Sequence, residues 1–198
     1  RGVVVNISEM SRLEAYARTY PGSRVSVRIN TQFGAGHHRH VITAGHESKF
    51  GIPLGDLDRV LSIASEAGLR IVGLHQHIGS GNLDVDPYRR SLKVLFDAAA
   101  RFPDLEFVNI GGGLGVPYEP GEEEISLSEL ARVVEEAYGG FRRSTVRDVE
   151  LWMEPGRFLV ADAGALLTEV NTLKSSHGHT YLGTNSGMNH LIRPAMYG

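Results

Sequence analysis

Short apolar runs alternate along most of the chain with stretches whose apolar residues recur every three or four positions. The first pattern reads as buried strand and the second as amphipathic helix. Strands are predicted over 2–8 (GVVVNIS), 24–30 (RVSVRIN), 105–110 (LEFVNI) and 149–154 (VELWME), and 69–80 (LRIVGLHQHIGS) reads as a strand running into a loop. Helices are predicted over 11–21, 56–68, 86–103 and 126–141. Leu57, Val60, Leu61 and Ala64 share one face of the second helix, and Gly68 is its stop. Tyr88, Leu92, Leu95, Phe96 and Ala99 form the stripe of the third, with Asp86 as its cap and Pro87 at its first position. Ser11/Glu14 and Ser126/Glu129 have capping-box spacing at the starts of the first and fourth helices.

Strands and helices in strict alternation define an α/β fold with a parallel sheet. Five strand-plus-loop units are present, whereas a complete (β/α)8 barrel takes about 250 residues. The alternation therefore fits either part of a TIM barrel or a five-stranded doubly wound sheet. After about Ala165 the pattern changes to short strands and turns (LLTEVNTLKSS, HTYLGTNS, LIRPAMYG), so the expected division is 1–165 and 166–198, the second part β-rich. The chain opens at a strand and stops inside that β pattern, which reads as a piece of a longer protein.

The 198 residues carry a net charge of −3 with no cysteine. No basic footprint for nucleic acid or an anionic membrane is present, and there is no disulfide framework or thiolate metal site. Arg89-Arg90 and Arg142-Arg143 are pairs on helix faces rather than patches. There is neither an apolar run of membrane-spanning length nor a signal-peptide pattern, and the expected location is the cytoplasm. Four histidines, His37, His38, His40 and His46, crowd one glycine-rich stretch, but only Glu47 could join them, and no metal site is expected.

Glycine, at 24 residues, exceeds its usual share of about 7%, and the excess gathers at loops. The densest is GGGLG, Gly111 to Gly115, directly after a strand. A dinucleotide fingerprint would need glycine where Val116 stands, and no Walker lysine follows. What remains is a phosphate held by bare amides, or simply a tight strand-to-helix turn. Polar clusters end four strands: Arg28 and Asn30, His77 and Ser80, Gly111–Gly113, and Glu154 to Arg157. Barrels and open α/β sheets both place their sites at that edge. Taken singly, His77 could be a satisfied buried histidine and Arg157 a structural ion-pair member.

HIGSG, GGGLGVPY, EPGRFLVA and SGMNHLIRPAMYG, in this order and joined by RVSVRIN and ESKFGI, resemble the diaminopimelate decarboxylase family over essentially the whole chain. These are pyridoxal-phosphate enzymes of the alanine racemase-like barrel, related to ornithine and arginine decarboxylases. The resemblance implies a partial TIM barrel followed by the start of a C-terminal β domain. It implies pyridoxal 5'-phosphate as cofactor, an electron sink for the electrons left when CO2 departs. It makes His77 the stacking imidazole and Glu154 the carboxylate beside the ring nitrogen. Ser80, Gly111, Gly112, Gly113, Gly156 and Arg157 would bind the cofactor, chiefly its phosphate. Arg157, Arg193 and Tyr197 would bind substrate, and a guanidinium suits the distal carboxylate of diaminopimelate. The implied reaction is decarboxylation of meso-2,6-diaminopimelate to L-lysine. The alternatives are another basic amino acid or polyamine precursor as substrate, or an inactive regulatory homologue. The implied partners are a small amino-acid substrate and a second copy, in a homodimer that completes the site.

Two features depart from the family. None of the three lysines, Lys49, Lys93 and Lys174, matches the motif of the lysine that holds the cofactor covalently, which places that lysine upstream and makes this stretch inactive alone. Asn185 and His190 stand where aspartate is common, which bears on substrate preference rather than on the cofactor.

Overall fold

A computed structural model describes residues 2–33 and 48–197. His37, His38, His40, His46 and Glu47 lie outside the described residues. In chain order the elements are β1 (Val5–Ile7), α1 (Met10–Thr19), β2 (Arg24–Asn30), β3 (Ile52–Pro53), α2 (Leu57–Ala67), β4 (Arg70–His75), α3 (Asp86–Ala99), β5 (Phe107–Asn109), α4 (Leu127–Thr145), β6 (Glu150–Trp152), α5 (Gly156–Val160), β7 (Val170–Ser176), β8 (His179–Thr184) and α6 (Arg193–Tyr197). Two compact units divide between Leu159 and Val160, a few residues before the change of pattern read from the sequence.

In the first unit the strands lie in the order β1-β2-β4-β5-β6, all parallel, with β3 beside the end of β2. Sequential order with helical returns is the βα succession of a TIM barrel. β2 shows what each face of the sheet does. Val25, Val27 and Ile29 are buried in the core, while Ser26 lines a cavity on the other face. Ile7, Leu74, Val108 and Ile110 join the core layer, which the helices close with Leu13, Val60, Leu92, Leu95, Leu130 and Val133.

A bulge lies where β4 pairs with β2: Val25 pairs with Ile71, but Ser26 pairs with Gly73. The extra residue keeps Ile71 and Leu74 both in the core layer. Gly73 is bare because the Phe107 ring lies over it, with ring carbon Cζ 2.1 Å from where a Cβ would stand. Phe107 in turn stacks on Trp152 at 3.9 Å between centroids, 6° from parallel. The barrel-side face thus carries a Gly73–Phe107–Trp152 layer.

Local signals set most boundaries. Gly68 ends α2 in the left-handed region at φ 67°, and Ser126 caps α4 by accepting from the Glu129 N–H at 3.3 Å. Three expectations are corrected. α1 begins at Met10 with Glu9 as its cap, so Ser11 is already inside the first turn and Glu14 pairs with Arg59 of α2. α3 is capped at Val85, so Asp86 is its first residue and Pro87 its second, and Asp84 Oδ1 accepts from the Asp86 N–H at 2.9 Å. The end of the chain, read as strands and turns, forms the short α6. α4 runs past Phe141 to Thr145 through Gly139-Gly140, and α5 starts directly after the predicted Pro155 turn. The charged pairs do lie on helix surfaces, where Arg89 meets Asp86, Glu129 and Glu136.

The second unit is built on β7 and β8, an antiparallel hairpin turned at His177-Gly178. Leu173, Tyr181 and Leu182 on it are exposed. Asn185 closes its open end, donating its N–H to the Glu169 carbonyl at 3.0 Å and accepting the Glu169 N–H on Oδ1 at 3.1 Å. His190 Nδ1 meets Ser186 Oγ at 3.1 Å.

Candidate active site

The loops after β4, β5 and β6 meet in the first unit. The HIGSG loop and the glycine loop are joined by Asn82. Its N–H donates to the Gly113 carbonyl at 2.9 Å, its own carbonyl accepts from the Gly115 N–H at 2.8 Å, and its amide Nδ2 reaches the Gly79 and Gly113 carbonyls. From α3, buried Tyr88 donates to the Gly112 carbonyl at 3.1 Å, and burial raises the phenol pKa to about 12.

The glycines are needed because other loops pass so close. A Cβ would lie 2.3 Å from the Gln76 carbonyl at Gly111, 2.0 Å from the Glu154 carbonyl at Gly112 and 2.0 Å from the Gly79 carbonyl at Gly113. Gly111 and Gly113 also take positive φ, 76° and 102°. The Gly111 N–H donates to Asn109 Oδ1 at 2.9 Å, and the Gly112 N–H to His77 Nδ1 at 3.1 Å. Of the three amides expected at a phosphate, two are therefore given to protein acceptors. The Gly113 amide meets no acceptor among the described residues.

His77 accepts on Nδ1, so its neutral ring carries hydrogen on Nε2. Burial lowers its pKa, the Arg28 guanidinium lowers it further, and Glu154 opposes both. Arg28 lies over the Phe50 ring at 5.2 Å and donates to the His77 carbonyl at 3.3 Å. Glu154 follows β6. Its N–H donates to the Gly111 carbonyl at 2.9 Å, and its side chain is 52% exposed. Asn109, the last residue of β5, donates to Glu154 Oε1 at 2.7 Å. His75, the last residue of β4, is buried with Nε2 3.5 Å from the same oxygen. Asn6, Ser26, His75, Phe107, Asn109, Trp152 and Glu154 line one cavity of about 560 Å³.

His77, Ser80, Gly111–Gly113, Glu154, Gly156 and Arg157 all belong to this unit, and the loops bring His77, the glycines and Glu154 together. Arg193 and Tyr197 begin and end α6 in the second unit. Sequence reasoning missed His75, Asn109, Asn6 and Asn82. For the first three, the overlooked signal is polar residues on the side of apolar strands opposite the core; Asn82 lies in a loop and has no such signal.

Three features fit a pyridine ring carrying a phosphate. A neutral imidazole is held by its edge, a carboxylate has one oxygen anchored and the other without a hydrogen-bond partner, and Arg157 Nη1 is buried without one, all among the described residues. The last needs an acceptor, which a phosphate oxygen supplies. Among the described residues no cluster of three potential metal ligands occurs, and no helix is long and apolar enough to cross a membrane.

Fold and site define a cofactor-binding α/β barrel domain. Residues 1–161 match the family model "Pyridoxal-dependent decarboxylase, pyridoxal binding domain", and the chain belongs to that family. It is 40% identical over its whole length to diaminopimelate decarboxylase of Methanothermobacter thermautotrophicus, covering 47% of that protein. It is 36% identical over 197 residues to the enzyme of Escherichia coli K12, covering 99% of this chain and 47% of the relative. The solved structure of diaminopimelate decarboxylase from Helicobacter pylori, complexed with L-lysine, superposes with a TM-score of 0.85 at 32% identity, covering 98% of this chain and 49% of that one. The chain thus spans about half the length of the curated relatives it matches.

Proposed function

We propose that the protein carrying this chain decarboxylates meso-2,6-diaminopimelate to L-lysine and CO2 with pyridoxal 5'-phosphate. The observation that carries the reading is the carboxylate of Glu154, anchored through one oxygen and set at the strand ends beside the edge-held imidazole of His77. The bound cofactor supplies an electron sink for the carbon that loses its carboxylate. Glu154 keeps a proton on the pyridine nitrogen, and Asn109 keeps Glu154 in place. His77 offers a flat, uncharged face to the ring. The Gly113 amide, Ser80, the chain at Gly156 and Arg157 take the phosphate, while Gly111 and Gly112 let the three loops close. Arg157, Arg193 and Tyr197 hold the substrate, with the Arg193 guanidinium matched to the carboxylate that stays intact. Residues 1–165 form part of the barrel and 166–198 open a C-terminal β domain. The working form is a cytoplasmic homodimer whose second copy completes the site.

The test uses the protein at the relatives' full length, loaded with pyridoxal phosphate. CO2 release is compared from meso-diaminopimelate, ornithine, arginine and lysine. Strong preference for diaminopimelate, lost in Arg193→Ala, supports the reading. Preference for another amino acid overturns the substrate, and no release from any of them with cofactor bound overturns the reaction.

A further inference from the structure

His75 has no part in the roles given so far, yet it is a buried titratable side chain facing Glu154. It ends β4, pairs with Arg28 of β2 and Asn109 of β5, and is 6% exposed. Its two ring nitrogens meet different neighbours. Nδ1 lies 3.0 Å from Asn6 Nδ2 of β1, and Asn6 Oδ1 accepts from Ser26 Oγ of β2 at 3.0 Å. Nε2 is buried without a hydrogen-bond partner among the described residues, and it lies 3.5 Å from Glu154 Oε1.

Only one direction of donation satisfies every member of this row. A carboxylate accepts, so the nitrogen facing it must carry hydrogen. A neutral imidazole then has a bare Nδ1, which requires a donor, and Asn6 supplies its NH2. The Asn6 carbonyl is left facing Ser26, whose hydroxyl donates. The ring is neutral at physiological pH. Burial pushes its pKa down to about 4, with Arg28 and His77 pushing the same way and Glu154 opposing them. The contact to Glu154 is therefore a neutral N–H facing a carboxylate rather than an ion pair. A buried imidazole N–H left unpaired is costly. A small tilt of the half-exposed Glu154 carboxylate is enough to close the gap.

We propose that His75 is a positioning residue for Glu154: Ser26 and Asn6 fix its tautomer, and its Nε2–H joins Asn109 in holding Oε1, which leaves Oε2 for the ring nitrogen of the cofactor. The inference rests on the cofactor role proposed above for Glu154. Two donors from two neighbouring strands on one oxygen fix the carboxylate plane as well as its position. One donor alone leaves it free to swing about that bond.

The test uses the full-length protein. Nitrogen-15 spectra of the imidazoles at neutral pH, taken with and without cofactor and assigned with His75→Gln, are expected to show His75 bare at Nδ1 and protonated at Nε2 in both forms. The opposite tautomer, or an imidazolium, overturns the proposal. His75→Phe keeps the shape and removes the donor. It is expected to lower kcat about tenfold, the loss that goes with a hydrogen bond to a charged group, with KM little changed and with an altered pH dependence of the bound cofactor's absorbance. His75→Gln, which returns an N–H near the Nε2 position, is expected to recover most of kcat. If His75→Phe keeps wild-type kcat and absorbance while Glu154→Gln abolishes turnover, this inference fails and the role of Glu154 stands. If Glu154→Gln itself changes neither turnover nor absorbance, the role of Glu154 fails and the inference with it.

Discussion

Asn109 and Glu154 stand at the ends of neighbouring parallel strands, and the Asn109 amide donates to Glu154 Oε1 at 2.7 Å while its own oxygen accepts the Gly111 N–H at 2.9 Å. One side chain therefore ties the glycine loop to the carboxylate. Asn109→Asp keeps the acceptor for Gly111 but places two carboxylates at hydrogen-bond distance. The pair then shares a proton, and one pKa rises above its unfolded value. The variant's deficit relative to wild type is expected to be small below the unfolded carboxylate value of about 4 and to grow to about 2 kcal/mol as pH rises from there through that raised pKa. Denaturant unfolding at several pH values measures it, and a pH-independent deficit counts against the shared proton.

Gly112→Ala sets a Cβ 2.0 Å from the Glu154 carbonyl, where backbone and not a pliable side chain must move. The expected loss is about 3 kcal/mol or more, with a lower denaturation midpoint and an unchanged m-value. A variant as stable as wild type would show that the β6 turn yields easily.

Acid should weaken the first unit through His75. Its folded pKa, about 4, lies below the unfolded value, so the unfolded chain binds the extra proton first. Stability is then fully present above the unfolded value of about 6.5 and is lost as pH falls from there toward about 4, by at most roughly 3 kcal/mol. His77, shifted in the same direction, adds to the loss. Unfolding curves across that range, compared with those of His75→Gln, should show a flatter dependence in the variant.

Ser126→Ala removes the acceptor for the Glu129 N–H at the start of α4. The expected cost is about 1 kcal/mol, measured by thermal or denaturant unfolding, and turnover should be unaffected because Ser126 is exposed and does not line the cavity that holds Glu154 and His75.

How far the sequence reveals this molecule differs by element. Apolar periodicity is local, and so the strands, the stripes of α2 and α3, the Gly68 stop and the Ser126 cap are legible in it. Ser11 looked like a cap because its spacing to Glu14 fits, but the chain enters α1 from an extended Glu9, and Glu14 is drawn to Arg59 on another helix. His77 and Glu154 stood out because each lies beside a turn motif at a strand end. His75 and Asn109 did not, because their meaning comes from register: each lies level with the other across β4 and β5, and nothing local to either says so. Polar residues opposite a core face, such as Ser26 in RVSVRIN, were the available clue. The bare amides of the glycine loop point to a phosphate, but its composition is also dictated by carbonyls of two other loops that no spacing reveals.

Trp152 is the only tryptophan in the chain, and it stacks on Phe107 at the lining of the cavity that also holds Glu154 and His75. That makes this stretch of chain its own optical probe. Every photon that this chain's indole emits leaves from the wall of one site, so a bound chromophore absorbing in that band darkens the emission by energy transfer. An empty cavity leaves it bright, and occupancy can be followed by fluorescence without label or substrate.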